Sequence, residues 1–261
     1  MTHERVWDAD DRQRLTMVAE QLTAASRVLA ITGAGLSADS GLPTYRGIGG
    51  LYEQRSTDHG MPIEAALSGE VFVRQPETTW QYLRELGAAA RGARPNAGHY
   101  ALSAFETGGR EVCVLTQNVD GLHRAAGSRK VVEIHGNMQS LVCTQCRYRR
   151  SPVDYAELPP LPSCPECFAP LRPPVVLFGE MLPDDALREL RRELTRGFDL
   201  VLCIGTSGLF PYITEPVHVA GGQGIPVVEI NPGVSAVSDA VDIRLARPAA
   251  ETLAALQARL P

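Results

Sequence analysis

Six short apolar runs rich in β-branched residues punctuate the chain: Arg27–Thr32, Val112–Thr116, Val131–Ile134, Leu200–Gly205, Pro226–Ile230 and Val241–Leu245. Each is bounded by Gly, Pro, Asn or Asp, and each is apolar throughout instead of alternating, which predicts strands buried on both faces. Between several of them lie Asp11–Ser26, His99–Glu106, Pro183–Thr195 and Pro248–Leu260, where apolar residues recur at helical spacing. Strand alternating with helix predicts an α/β fold, a doubly wound parallel sheet.

Two segments break this rhythm. Residues 45–96 are helix-prone after a Gly-rich opening, and residues 139–174 combine two cysteine pairs with the Pro-rich stretch Leu158–Pro162. Both read as insertions forming a smaller lobe beside the sheet, with 1–44, 97–138 and 175–261 left to the larger domain.

Composition narrows the function classes. Of 261 residues, 44% are apolar and 21% charged, as in ordinary folded chains. A formal net charge of -5 gives no electrostatic reason to expect nucleic acid or an anionic membrane as a partner. Met1–Asp11 carries no apolar signal core, and no run approaches the roughly 20 apolar residues of a membrane helix, so a cytoplasmic location is expected. Lys130 is the one lysine among 25 basic residues, a bias that by itself indicates no function.

Four of the six cysteines fall in two Cys-x2-Cys pairs, Cys143 with Cys146 and Cys164 with Cys167, seventeen residues apart. That spacing suits a four-thiolate zinc site, and four protein ligands leave no open position for water, so the predicted ion is structural. A redox Cys-x2-Cys is the rival reading. Cys113 and Cys203 lie in apolar runs and are expected to be buried thiols.

After the first predicted strand comes Gly33-Ala34-Gly35-Leu36-Ser37-Ala38, a Gly-x-Gly-x-x-Ala turn where a helix amino terminus offers unpaired N–H groups to a pyrophosphate. No acidic residue ends a second strand about 20 positions later, which counts against an ordinary hydride-transfer enzyme. Other polar groups follow other strands: Thr116-Gln117-Asn118-Val119-Asp120, Gly205-Thr206-Ser207, and Asn231. Singly each reads as a cap or turn; together they point to one crevice at the strands' carboxyl ends.

In order along the chain stand Gly33–Ser37, Ser40-Gly41-Leu42-Pro43-Thr44-Tyr45-Arg46-Gly47, Thr116–His123, Glu133-Ile134-His135-Gly136, the cysteine pairs, Phe178-Gly179-Glu180, Gly205-Thr206-Ser207 and Ile230-Asn231. This order resembles that of the sirtuins, from about residue 14 to the carboxyl terminus. The resemblance implies a Rossmann-like large domain and a small domain made of a helical module and a zinc ribbon, with NAD and an acyl-lysine protein substrate in the cleft between the domains. It puts the catalytic histidine at His135 and the nicotinamide pocket at Asn118 and Asp120. It puts further NAD contacts at Gly33, Ala34, Gly35, Ser37, Thr44, Tyr45, Arg46, Gln117, Val119, Gly205, Thr206, Ser207 and Asn231.

The implied activity is NAD-dependent removal of acyl groups from protein lysine. The amide oxygen attacks the ribose as nicotinamide leaves, and the neutral His135 imidazole takes a ribose hydroxyl proton. Val176, Phe178, Gly179 and Glu180 would offer an extended edge to which the substrate peptide adds as a strand. A mono-ADP-ribosyltransferase or NAD glycohydrolase using the same site is the alternative. A nucleotide-sensing module without turnover would need His135 or Asp120 to be missing.

Two departures matter. Thr44 resembles the desuccinylase class of sirtuins, whose Tyr-x-x-Arg pair holds acidic acyl groups, yet ungapped alignment from Trp80 puts Leu83 and Leu86 at those positions. A carboxylate buried without a cation is strongly disfavoured, so acetyl or longer neutral acyl groups are expected over succinyl or malonyl. A one-residue slip gives Tyr82 and Glu85, which also supply no cation. After Gly205-Thr206-Ser207, bulky Phe210 and Tyr212 replace the family's small residues and are expected to pack in the core, the other outcome being a narrowed cleft.

Overall fold

The structure, a computed structural model, describes residues 7–42 and 60–261. Thr44, Tyr45 and Arg46 therefore lie outside the described residues. In chain order the elements are α1 (Ala9–Ala24), β1 (Arg27–Thr32), α2 (Ala34–Ala38), α3 (Ile63–Ala66), α4 (Gly69–Arg74), α5 (Pro76–Ala90) and α6 (Ala97–Ala104). There follow β2 (Glu111–Thr116), α7 (Leu122–Ala125), β3 (Lys130–Glu133), β4 (Leu141–Cys143), β5 (Arg149–Arg150) and β6 (Leu171–Arg172). The chain ends with α8 (Asp184–Arg196), β7 (Leu200–Ile204), α9 (Pro211–Gly222), β8 (Val227–Ile230), β9 (Ile243–Leu245) and α10 (Ala249–Gln257).

Six strands form a parallel sheet in the order β3-β2-β1-β7-β8-β9. They are the six apolar runs, with ends moved by one or two residues. Side-chain alternation serves two apolar layers. Val28, Ala30, Val112, Val114, Leu200 and Leu202 pack under α1, α6 and α10, while Leu29, Ile31, Cys113, Leu115, Val201 and Cys203 meet Leu190 of α8 and Ile213 and Val217 of α9. Cys113 and Cys203 are thus core thiols, and burial pushes both pKa values up to about 12.

The sole lysine has a structural place. Lys130 at the start of β3 reaches fully buried Glu193 of α8 at 2.8 Å, and Arg27 of β1 reaches the same carboxylate at 2.7 Å. One buried carboxylate with several cations thereby ties two strands to one helix; removing a single partner would leave an uncompensated charge.

The second lobe has its own core, drawn from residues far apart in sequence. Trp80, Tyr82 and Leu83 of α5 pack with Phe72, Met138, Leu141, Tyr155, Leu171 and Leu177. Gly87 permits the closest approach: a Cβ there would stand 2.3 Å from the Tyr155 ring. The Trp80 indole N–H donates to the Leu171 carbonyl at 2.8 Å, so its polar edge stays satisfied inside the core. Strands β4, β5 and β6 form a three-stranded antiparallel sheet, order β5-β4-β6, that carries the cysteines.

Candidate active site

β1 and β7 are neighbours, and the chain leaves them toward opposite sides of the sheet, which opens a crevice at their carboxyl ends. The turns after both strands meet there at backbone distance. A Cβ on Gly33 would lie 2.7 Å from the Gly205 carbonyl oxygen, and one on Gly35 2.8 Å from the Gly205 Cα. Gly205 itself has φ +55, and its Cβ would stand 2.6 Å from the Leu36 amide nitrogen. The glycines are therefore required first by packing of one turn on the other. The expectation of unpaired first-turn amides needs correction too: Gly35 N–H donates to Gly205 O at 2.9 Å and Leu36 N–H to Gly33 O at 3.1 Å.

Side chains from the next strand lock this turn. Asn118, nearly buried, donates through Nδ2 to Gly33 O and to Ser37 Oγ, both at 3.0 Å. Both of its amide hydrogens are engaged, so it orders the β1–α2 turn and has only Oδ1 left to offer a ligand. Ser37 Oγ donates to Asp120 Oδ2 at 2.7 Å, and the Leu122 amide donates to Asp120 Oδ1 at 2.9 Å. Each carboxylate oxygen retains a lone pair for a donor such as a carboxamide.

Gln117 bridges β2 to β7. Its Nε2 donates to Thr206 Oγ1 at 2.7 Å, and the Asn231 amide donates to Thr206 O at 2.9 Å. Thr206 is buried and also accepts the Gly208 amide at 3.2 Å, so it joins three strand ends instead of facing a ligand. Ser207 is exposed, Ala34 is half-buried at the head of α2, and Val119 packs against the small-lobe core.

His135 follows β3. Its Nδ1 stands 3.0 Å from the Gln117 carbonyl, which only accepts, so Nδ1 carries the proton and Nε2 holds the lone pair. Burial pushes its pKa below the ordinary histidine value, opposed by the Gln117 carbonyl. The ring is therefore neutral at pH 7, as a base requires. Sequence reasoning did not find its second partner: Tyr212 Oη lies 2.7 Å from Nε2. Phe210 and Tyr212 stack with centroids 5.3 Å apart and both meet the His135 ring edge-on. Phe210 is 39% exposed beside His135 and stays out of the core, whereas Tyr212, as expected of it, packs against the apolar layer of α8 and α9 while its hydroxyl reaches His135. Phe210 is the N-cap of α9, Pro211 its first residue and Tyr212 its second, so both rings stand at the amino end of that helix, beside His135.

The expected peptide edge is partly occupied. The Val176 amide donates to His135 O at 2.9 Å, and Phe178 bonds Leu67 O through its amide and Gly69 N through its carbonyl. The Leu177 amide goes to Glu180, whose carboxylate is held by Arg172 at 2.6 Å. The Val176 carbonyl and exposed Gly179 carry none of these bonds. Leu83 is fully buried in the small-lobe core, with Leu86 packed against it. Glu85 faces solvent, and the nearby cation Arg84 is committed to the Leu158 and Pro159 carbonyls at 3.2 and 2.8 Å.

The four cysteine sulfurs lie within 4.8 Å of one another. Cys143 and Cys167 Sγ are 3.4 Å apart, and Cys146 and Cys164 Sγ 3.6 Å, so the close contacts join one pair to the other. A tetrahedral zinc with Zn–S of about 2.3 Å sets sulfurs about 3.8 Å apart, which these positions fit. Amides of Gln145 and Cys146 point at Cys143 Sγ at 3.3 and 3.4 Å, and that of Glu166 at Cys164 Sγ at 3.4 Å, the knuckle geometry that stabilises thiolates. The cluster lies in the small sheet, apart from His135.

Residues 33–210 match the model of the Sir2 family. The chain is 50% identical over 241 residues to NAD-dependent protein deacylase 2 of Pseudomonas aeruginosa, covering 90% of this chain and 93% of that protein. Its fold is similar to that of a Sir2 homologue in complex with NAD, with TM-score 0.83, 34% identity, and coverage of 93% of this chain and 92% of that one. It is also similar to a Sir2 mutant holding a deacetylated p53 peptide and 3'-O-acetyl ADP-ribose, with TM-score 0.82, 28% identity, and coverage of 94% and 97%.

Proposed function

The chain belongs to the Sir2 family and is an NAD-dependent protein-lysine deacylase, and we propose that His135 is its general base and that it favours neutral acyl groups over succinyl or malonyl. The observation that carries this reading is the fixed tautomer of His135, with Nδ1–H on the Gln117 carbonyl and a lone pair on Nε2.

NAD, when bound, supplies an electrophilic ribose carbon as nicotinamide leaves. The residues of this chain supply position and proton transfer. The joined turns at Gly33–Gly35 and Gly205, with Ser207 and Asn231, present backbone and small polar groups to a dinucleotide at the crevice between β1 and β7. Asp120 accepts the carboxamide N–H, and Asn118 holds the turn that carries Ser37. His135 Nε2 takes the proton of a ribose hydroxyl.

The substrate peptide lies along the Val176 carbonyl and Gly179, so backbone bonds give affinity with little demand on sequence. The division is 1–44, 97–138 and 175–261 for the NAD domain, with 45–96 and 139–174 in the small one; in its support, residues of α3, α4 and α5 share one apolar core with residues of β4 and β6, and Met138, Val175 and Leu177 at the joins enter it too. The commitment of Arg84 to loop carbonyls supports the neutral-acyl preference, because it leaves the α5 face beside Leu83 and Leu86 without that cation. A reducing cytoplasm suits a four-thiolate site.

The test is one kinetic panel: acetyl, butyryl and succinyl peptides, with and without NAD, on wild type and His135→Ala. Wild type is expected to need NAD and to turn over acetyl and butyryl at least tenfold faster than succinyl, while His135→Ala loses two or more orders of magnitude and stays folded. Turnover retained by His135→Ala overturns the base; efficient desuccinylation overturns the preference. ADP-ribosylated protein without O-acyl-ADP-ribose would instead mark the transferase alternative.

A further inference from the structure

A neutral imidazole with Nδ1 protonated has one lone pair for the ribose hydroxyl, and in this structure it is taken. Tyr212 Oη stands 2.7 Å from His135 Nε2 while Gln117 O holds Nδ1 at 3.0 Å, so the phenol must be the donor. The phenol is held in place. Tyr212 sits second in α9 behind Pro211, and its ring lies nearly parallel to that of Phe210, at an interplanar angle of 8°. Half-burial keeps the hydroxyl protonated, with its pKa pushed up to about 12. Among the described residues, the groups that meet His135 are the Gln117 carbonyl, the Val176 amide, the Phe210 ring and Tyr212, and of these only Tyr212 titrates.

We propose that Tyr212 is a positioning residue that serves as a placeholder for the substrate: in the NAD-free enzyme its hydroxyl holds His135 in the reactive tautomer, and a ribose hydroxyl of NAD takes over the same nitrogen on binding. The proposal rests on the reading of His135 as the base. Both donors offer Nε2 one O–H, so the exchange conserves the hydrogen bond and moves no proton. It also excludes water from Nε2 until NAD arrives. The bond belongs to the free enzyme alone, and its removal must therefore alter free-enzyme properties and leave those of the occupied enzyme unchanged.

Tyr212→Phe keeps the ring and its stack and deletes only the donor. The experiment follows His135 by NMR in protein labelled with 15N-histidine, together with calorimetric binding of ADP-ribose, which carries the ribose hydroxyls. A donor to Nε2 favours the neutral ring, so the free variant is expected to titrate several tenths of a pH unit or more above wild type. With saturating ADP-ribose the two titrations should coincide. ADP-ribose should bind the variant about two- to tenfold more tightly, since it displaces nothing.

Equal His135 titrations in the two free proteins, or weaker ADP-ribose binding by the variant, would overturn the proposal. Should the variant fail to fold, wild type decides alone: ADP-ribose must shift the Tyr212 ring signals together with His135 Nε2, and unmoved Tyr212 signals refute the exchange. Neither readout uses turnover, so failure here is distinct from failure of the base assignment, which shows as activity surviving in His135→Ala.

Discussion

The carboxyl edge of the large sheet and the small lobe beside it hold their shapes in different ways. At the sheet edge, the functional side chains hang from strands fixed by parallel ladders and by apolar layers on both faces. The small lobe has strands of two or three residues and one core assembled from segments far apart in sequence. Short strands with few ladder bonds need another constraint, and the cysteine knuckles are positioned to supply it through an ion. The sheet that carries His135 is expected to keep its shape without metal, whereas the small lobe is expected to lose it.

The largest expected effect breaks the comparison at its weaker side. Cys143→Ala, or stripping zinc with a chelator, should raise amide exchange in β4, β5 and β6 by two or more orders of magnitude, leave β1, β2 and β7 protected, and abolish turnover. Hydrogen exchange read element by element checks this. A zinc-free protein with normal protection and normal activity would contradict it.

The next effect probes the stronger side. Gly205→Ala puts a methyl 2.6 Å from the Leu36 nitrogen at a φ of +55, where an alanine is strained and both turns must separate. The expected outcome is a stability loss of about 2–4 kcal/mol and ADP-ribose affinity reduced more than tenfold. Gly222→Ala, at the end of α9 with open space around it, is the control and should be neutral within about 0.5 kcal/mol. Equal effects at the two positions would mean that the close approach of the turns is not what the glycines serve.

The two regions also differ in how much of them the sequence discloses. The sheet was legible because a strand buried on both faces must be apolar throughout, and Val28–Ile31 and Leu200–Ile204 are. The cysteine cluster was legible because its ligands announce themselves by type and spacing. Strands β5 and β6, two residues each, show no period to read. Nor does local sequence disclose that Gly35 and Gly205 meet at backbone distance, that Lys130 holds Glu193, or that Phe178 spends its backbone on Leu67 and Gly69. The largest miss was Tyr212. Its bulk suggested a core residue, and it does pack against the layer of α8 and α9, but its hydroxyl also meets His135 from the second position of α9, a contact that residue type alone does not disclose.

The smallest effect concerns two histidines that brace the sheet edge from behind. His123 Nε2 meets Thr32 Oγ1 at 2.9 Å, and the His123 ring stands 4.9 Å from that of His99, which caps α6 through Asn96. Burial lowers His99 to about 4 and His123 to about 3, so both stay neutral in the fold well below the unfolded value of about 6.5. The unfolded chain then binds more protons as pH falls from about 6.5 toward those values, and stability is lost over that window. From pH 7 to pH 5.5 the loss should be of the order of 1 kcal/mol for each histidine, read as a lower urea midpoint at constant slope. Because both lie behind β1 and not in the zinc lobe, early exchange at pH 5.5 should appear in α6 and α7. A midpoint unchanged or raised at pH 5.5 would show that these rings are charged in the fold, and the sheet edge would then owe its rigidity to other groups.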